Sequence, residues 1–245
     1  MNITNNTILI TGGGSGIGLA IAKALSPANK IIIVGRNKEK LDAAAKDLEN
    51  VFTIQADITN ESDVNRLYEE VKTTFGGLNI LINNAGHAHY YTISENSETH
   101  DNALSEFTTN YFAPIRMTEK FLPLLKEQNE AAIVNVSSIV GLVPGHHLPT
   151  YSDSKAALHS HTQVLRYELA KDTNIKVFEL MPPLVDTDFS VEIGGKENGI
   201  PPSDVADDLV KAFQENIYEV RVGNTELLYQ NFFAGTEGAF GTFNE

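Results

Sequence analysis

Two side chains four residues apart could move a proton between them and a substrate: Tyr151 and Lys155, in the run Tyr151-Ser152-Asp153-Ser154-Lys155-Ala156-Ala157-Leu158. On a helix this spacing puts both on one face, about 6 Å apart along the axis. A phenol alone has a pKa near ~10 and is a poor acid or base at neutral pH. A fixed ammonium beside it favours the phenolate. At ~4 Å and an effective dielectric of ~20 that attraction approaches ~4 kcal/mol, an upper figure of roughly three pKa units. The spacing therefore predicts a tyrosine shifted toward the range where general acid–base chemistry works best. Tyr and Lys recur at this separation in many helices, so the pair gains meaning only from its neighbours.

The first such neighbour is Thr11-Gly12-Gly13-Gly14-Ser15-Gly16-Ile17-Gly18, which follows a short apolar run and opens a helical one. Gly12, Gly14, Gly16 and Gly18 let the backbone turn sharply and approach a ligand closely. Ser15 and Ile17 lie where a helix N-terminus offers free N–H groups and a dipole that favours a pyrophosphate. A purely structural turn uses the same glycines, but the order strand, turn, helix favours a dinucleotide. About twenty residues on, where a carboxylate would claim the ribose 2′-hydroxyl, the chain reads Gly35-Arg36-Asn37-Lys38. Arg36 can meet a 2′-phosphate with a charge-assisted contact, so NADP(H) is the expected cofactor, with NAD(H) the alternative. The plainer reading of Arg36 is a solvated residue starting a helix.

The elements that must position these groups alternate along the chain. Ile8-Leu9-Ile10, Ile31 to Val34, Val51 to Ile54, Ile80-Leu81-Ile82, Ile133 to Val136 and Val177 to Leu180 read as strands, most of them apolar almost throughout. Strands covered on both faces by helices look like this. Helical patterns fall between them at 16–26, 38–49, 61–75, 103–126 and 151–172, with Asn60 as an N-cap and a stripe of Leu104, Phe107, Tyr111, Ile115, Leu122 and Leu125 along the fourth. The alternation predicts an α/β fold, a single Rossmann-like domain over 1–245 with a doubly wound parallel sheet and helices on both faces. The irregular stretch from Asp188 to Pro202 lies after strand six, on the ligand side of such a sheet. It is either a substrate lid, placed near 188–215, or a plain surface connection. Ser203 is expected to cap a short helix, and Tyr218 to Val222 to form a last strand. Phe232, Phe233, Phe240 and Phe243 make the end of the chain too apolar for a solvated tail; it is expected to cover the pocket or meet another subunit.

Eighteen basic against thirty-two acidic residues give a formal charge of −14. That surface repels polyphosphate and anionic lipid, so no nucleic acid and no membrane is expected as a partner. Any anionic cofactor must be held by local basic groups and backbone amides. There is no cysteine, which excludes disulfides, thiolate nucleophiles and thiolate-bound metals. With no basic, apolar leader and no long apolar run, a cytoplasmic protein is the expectation.

Taken together, these residues resemble the short-chain dehydrogenase/reductase family over essentially the whole chain. Thr11 to Gly18 matches its TGxxxGxG, Asn83-Asn84-Ala85-Gly86 its NNAG, and Tyr151 to Lys155 its YxxxK. Ser138 stands thirteen residues before the tyrosine, where the family's catalytic serine falls, and Asn110 takes the place of its catalytic asparagine. Asp57-Ile58 matches the pair flanking the adenine, and Asn84, Ala85 and Gly86 belong to the cofactor groove. The resemblance implies hydride transfer between a nicotinamide and a small-molecule carbonyl or alcohol. It gives Tyr151 the proton transfer, Ser138 the substrate oxygen, Lys155 the nicotinamide ribose, and Asn110 a water that relays protons to Lys155. It also implies a homodimer or homotetramer built through the fourth and fifth helices. The chain departs from the usual Pro-Gly after strand six, reading Met181-Pro182-Pro183-Leu184-Val185-Asp186-Thr187. Pro183 lacks an N–H and has a fixed φ, so that loop is expected to take its own path, with Pro182, Val185 and Thr187 still at the cofactor. This Pro-Pro variant looks like a subgroup associated with lipoteichoic-acid D-alanylation, a likeness that names no substrate.

His87-Ala88-His89 and His146-His147 are expected to border the site, as lining or exposed turns and not as a metal centre, since a metal needs further converging ligands. Tyr90 and Tyr91 add an aromatic wall or ordinary packing. A catalytically silent dinucleotide sensor or scaffold is the rival class, opposed by the intact Ser138, Tyr151 and Lys155. A sugar-nucleotide epimerase or dehydratase fits less well, lacking the tighter glycine spacing and longer substrate domain.

Overall fold

Neighbouring residues of the apolar runs divide between two cores. In β1 (Thr7–Thr11) Ile8 and Ile10 face one and Leu9 the other; in β2 (Lys30–Gly35) Ile31 and Ile33 part from Ile32 and Val34 in the same way. Alternation of this kind means a sheet covered on both sides. The computed structural model describes residues 1–235 and shows β3 (Val51–Gln55), β4 (Ile80–Asn83), β5 (Ala131–Val136), β6 (Ile175–Met181) and β7 (Glu219–Arg221) completing that sheet. All seven strands run parallel, in the order β3-β2-β1-β4-β5-β6-β7. The order reverses between β1 and β4, and the crevice where ligands bind in such sheets opens there at the carboxyl ends. The doubly wound architecture expected from the sequence is the one observed.

One face carries α1 (Gly16–Leu25) and α8 (Pro202–Glu215), with Leu41 of α2 (Lys38–Ala45). The other carries α3 (Glu61–Glu70), α5 (Ala113–Lys126) and the end of α6 (Pro149–Asp172). Asn60 caps α3 as expected, accepting from the N–H groups of Ser62 and Asp63. Ser203 is no cap: Pro202 opens α8, its fixed φ suited to the first helical position, and Ser203 lies inside the first turn. The fourth helical stretch starts earlier than expected, as α4 (Thr99–Phe107), and runs through a π-turn at Thr108–Phe112 into α5. That inserted residue breaks the predicted stripe. Leu104 and Phe112 are more than half exposed, and the buried face is Asn110, Ala113, Met117, Phe121 and Leu124.

The stretch 188–215 divides. A short turn of helix at Asp188–Ile193 and α7 (Gly195–Asn198) border the crevice, whereas α8 belongs to the core, with Val205, Leu209 and Phe213 fully buried. The last helix, α9 (Asn224–Ala234), closes the far side, with Leu228 and Phe232 packed by Tyr151. Phe240 and Phe243 lie outside the described residues. No helix among the described residues is long and apolar enough to cross a membrane.

Candidate active site

At the carboxyl ends of the strands lies a crevice of about 1040 Å³, lined at one end by Gly12, Ser15, Gly16, Ile17 and Arg36 and at the other by Ser138, Tyr151 and Lys155. The glycine turn is held from below. Asn84 Nδ2 donates to the carbonyls of Thr11 and Gly12 at 2.9 and 3.3 Å, while the N–H groups of Asn84 and Ala85 donate to Thr11 Oγ1. Gly12 sits at φ +66, and a Cβ there would meet Ala85 Cα at 3.0 Å. Gly18 is tighter still, with Asn84 Nδ2 and Gly12 O within 2.6 Å of a built Cβ. Ser15 caps α1 through its backbone alone, so the first N–H groups of the helix stay free for an anion. Gly14 lies over Leu41, and Gly16 faces Thr187.

Arg36 is exposed beside this turn, and among the described residues no hydrogen bond or ion pair engages its guanidinium. Asp57 and Ile58 line the crevice beyond it; Asp57 Oδ1 accepts from the backbone and hydroxyl of Thr59. Crowded glycines, a helix start without a side-chain cap and an arginine whose guanidinium has no partner among the described residues together form a cradle that fits a dinucleotide.

Val136, Ser137 and Ser138 end β5, and α6 passes in front of them. Ser138 Oγ accepts from Val140 N and lies near enough to the Tyr151 hydroxyl to favour its ionised form. Lys155 Nζ donates to the Val136 carbonyl at 2.8 Å and lies 5.5 Å from the Tyr151 ring centre. The two share a face as the spacing predicted. The expected lowering of the tyrosine does not follow. Burial pushes the Tyr151 phenol up, against the effect of the nearby Ser138 hydroxyl, and Glu106 adds to the rise. Burial likewise brings Lys155 down to about 8, opposed by Glu179. Both groups are buried, so the loss of solvation on charging outweighs the attraction estimated for a half-solvated pair.

Asn110 is fully buried in the π-turn. Its Nδ2 donates to His87 O at 2.7 Å and Ser154 Oγ at 3.0 Å, and its Oδ1 accepts from His87 N at 2.8 Å. These bonds pin the loop after Gly86 against α6; a Cβ on Gly86 would stand 3.6 Å from Asn110 Oδ1 and 3.9 Å from Lys155 Nζ. On the opposite wall Pro182 O accepts from Ile139 N at 3.0 Å, which ties the loop after β6 to the turn after Ser138. Pro182, Pro183, Val185 and Thr187 all line the crevice, and Val185 bridges to Ile200. His87 and His89 touch through their Nε2 atoms at 3.0 Å, and burial pushes His87 down so that it is neutral at pH 7. Tyr90, His147 and His146 stack side by side at the rim, with ring centres 5.0 and 3.7 Å apart, and Phe189 approaches Tyr151 at 5.7 Å. No three His, Cys, Asp or Glu among the described residues converge as metal ligands.

Two carboxyl groups near the site were not anticipated. Glu106 is fully buried, accepts from His89 N at 2.7 Å, and is pushed up by burial. Glu179 is fully buried, and its charge acts on Lys155. A lone acid inside the apolar run Val177-Phe178-Glu179-Leu180 was the available signal for the second. Glu106, on a helix between Ser105 and Phe107, gave none.

The family model described as short chain dehydrogenase matches residues 6–198. Among curated proteins the chain is 39% identical over 198 residues to the uncharacterised oxidoreductase DltE of Bacillus subtilis, covering 80% of this chain and 78% of that one. It is 34% identical over 228 residues to an uncharacterised oxidoreductase of Staphylococcus aureus strain USA300, covering 90% and 97%. Among solved structures, a short chain dehydrogenase of Burkholderia cenocepacia in complex with NADP superposes with TM-score 0.87 at 28% identity, over 99% of this chain and 98% of that one. A short chain dehydrogenase/reductase of Burkholderia phymatum in complex with NAD superposes with TM-score 0.84 at 22% identity, over 90% and 89%. The expected likeness to the Pro-Pro subgroup is borne out by the DltE match.

Proposed function

The chain belongs to the short-chain dehydrogenase family, and from that premise we propose that it is an NADPH-dependent reductase of a small carbonyl compound with Tyr151 as proton donor. The observation that carries this reading is the gathering of Ser138, Tyr151 and the buried Lys155 along the same crevice as the dinucleotide cradle. When bound, the nicotinamide supplies the hydride. Ser138 and Tyr151 bring two hydroxyl groups to one point, so a carbonyl oxygen there accepts from both. Tyr151, held protonated by burial, is in the state that reduction requires. Lys155 offsets the charge left on the phenol as its proton departs, and binds the nicotinamide ribose. Asn110 acts as a positioning residue, fixing the loop that faces Lys155.

In this reading Gly12, Gly14, Ser15, Gly16, Ile17 and Gly18 hold the pyrophosphate, Asp57 and Ile58 the adenine, and Asn84, Ala85 and Gly86 the near ribose. Pro182, Val185 and Thr187 border the nicotinamide. Arg36, its guanidinium with no partner among the described residues, supports NADP(H) over NAD(H); the two solved relatives hold NADP and NAD, so that residue alone carries the preference. Of the stretch after β6, residues 188–200 serve as the substrate lid of a single-domain enzyme.

The test is NADPH oxidation with a panel of aldehydes, ketones and diketones. Tyr151→Phe is expected to lose at least about 100-fold in rate while binding NADPH within about twofold of wild type. A Tyr151→Phe enzyme that keeps its rate sinks the assignment. Tight cofactor binding by both proteins with no turnover of any compound favours a dinucleotide sensor instead.

A further inference from the structure

We propose that Glu179, clamped by His159 and Ser137, is a buried counter-charge for Lys155 and a positioning residue for the Ser137–Ser138 corner. Its bearing on catalysis rests on the reading of Lys155 given above. Glu179 lies inside β6 between Phe178 and Leu180 and is fully buried. Both carboxylate oxygens lie 2.9 Å from His159 Nδ1, and Ser137 Oγ donates to Oε1 at 2.5 Å. In the sheet Glu179 pairs in register with Asn135 and Leu180 with Val136, the residue whose carbonyl receives Lys155 Nζ. His159 follows Lys155 by one helical turn on α6, so the helix turns an ammonium and an imidazole toward the same strand ends. Carboxylate, imidazole, serine and ammonium thus form one cluster behind the crevice floor.

A carboxylate in the middle of a parallel strand is costly to bury, and well-packed apolar side chains commonly replace such pairs with no loss of stability. Stability alone therefore does not account for Glu179, and its place one residue from the strand position paired with Val136, which receives Lys155 Nζ, points to the site. Among the described residues Lys155 Nζ has one hydrogen-bond acceptor, the Val136 carbonyl, and burial pushes it down, with Glu179 the charge that opposes this. The Ser137 bond also fixes the backbone one residue before Ser138. The charged and titratable groups around the cluster are Tyr151, His159 and Arg166 on α6, Glu179 on β6, Glu219 on β7, Glu106 on α4 and His87 on the loop after β4. Glu219 and Arg166 act on His159 with opposite sign, and Glu106 acts on Tyr151.

The experiment titrates the Lys155 Cε resonance of lysine-labelled, full-length protein between pH 6 and 11, assigned by its loss in Lys155→Met. In Glu179→Gln the midpoint is expected to fall by about one pH unit, and NADPH affinity at pH 8 to weaken several-fold while matching wild type at pH 6. Glu179→Asp, which keeps the charge, is expected to restore the wild-type midpoint. Should Glu179→Gln fail to fold, the paired apolar replacement Glu179→Leu with His159→Leu leaves no unpaired charge and is expected to lower the midpoint in the same way. An unchanged Lys155 midpoint in either folded variant overturns the proposal. The titration needs no turnover, so retained activity in Tyr151→Phe would sink the catalytic reading alone.

Discussion

The Arg36 guanidinium has no partner among the described residues and lies beside a cradle for phosphate, in a chain that carries an excess of acid. Its contact with a 2′-phosphate would be charge-assisted but exposed, which places it at the weak end of such bonds, about 1.5 kcal/mol. Arg36→Ala is therefore expected to weaken NADPH about tenfold and to leave NADH within about twofold, read by fluorescence titration of each nucleotide. Equal losses for both would refute the role. At the same scale, Tyr151 and Lys155 show what spacing can and cannot say. Their shared face follows from helix geometry alone. The direction of the tyrosine shift depends on how much water reaches the pair, and water is excluded by Ile139, Val143, Leu228 and Phe232, which come from two other parts of the chain.

The turn from β1 into α1 was legible residue by residue, because a glycine-rich strand-to-helix turn has few solutions. What only packing reveals is which glycine tolerates least. A Cβ on Gly18 would overlap the Gly12 carbonyl and the Asn84 amide, whereas one on Gly14 meets Leu41 Cδ2 at 3.3 Å, the mobile end of a side chain. Alanine would gain ~1 kcal/mol in helix propensity at Gly18, but forcing α1 away from the Asn84 loop costs more. Gly18→Ala is expected to destabilise by a net ~1–3 kcal/mol and Gly14→Ala by less than ~1 kcal/mol, measured by urea unfolding. Equal midpoints for the two variants would show that α1 can shift freely. The fourth helix was misread for a related reason: a π-turn, invisible in composition, advances every residue after Thr108 and carries Asn110 into the interior.

Across the whole molecule, the same π-turn leaves an apolar surface. Leu104, Phe112, Val164 and Tyr167 are each more than half exposed on α4, the π-turn and α6, and Tyr111 links the helices through a ring contact with His161. Exposed apolar residues suit an interaction surface, and these lie on the helices through which a homodimer or homotetramer was expected. Sedimentation is predicted to give a mass of at least twice 26.8 kDa for the wild type. Phe112→Asp combined with Tyr167→Glu is predicted to give the single-chain mass with an unchanged circular dichroism spectrum. A wild-type monomer would refute the assembly.

By itself the sequence determined the strand–helix alternation, the dinucleotide turn and the residues that resemble a reductase, because each is a local pattern with a local physical cause. Only the tertiary structure decided the protonation of Tyr151 and Lys155, the packed state of α8, and the gathering of Glu179, His159 and Ser137 beneath the site. Those depend on desolvation and on contacts between residues as far apart as Ser137 and Glu179, which no spacing along the chain encodes.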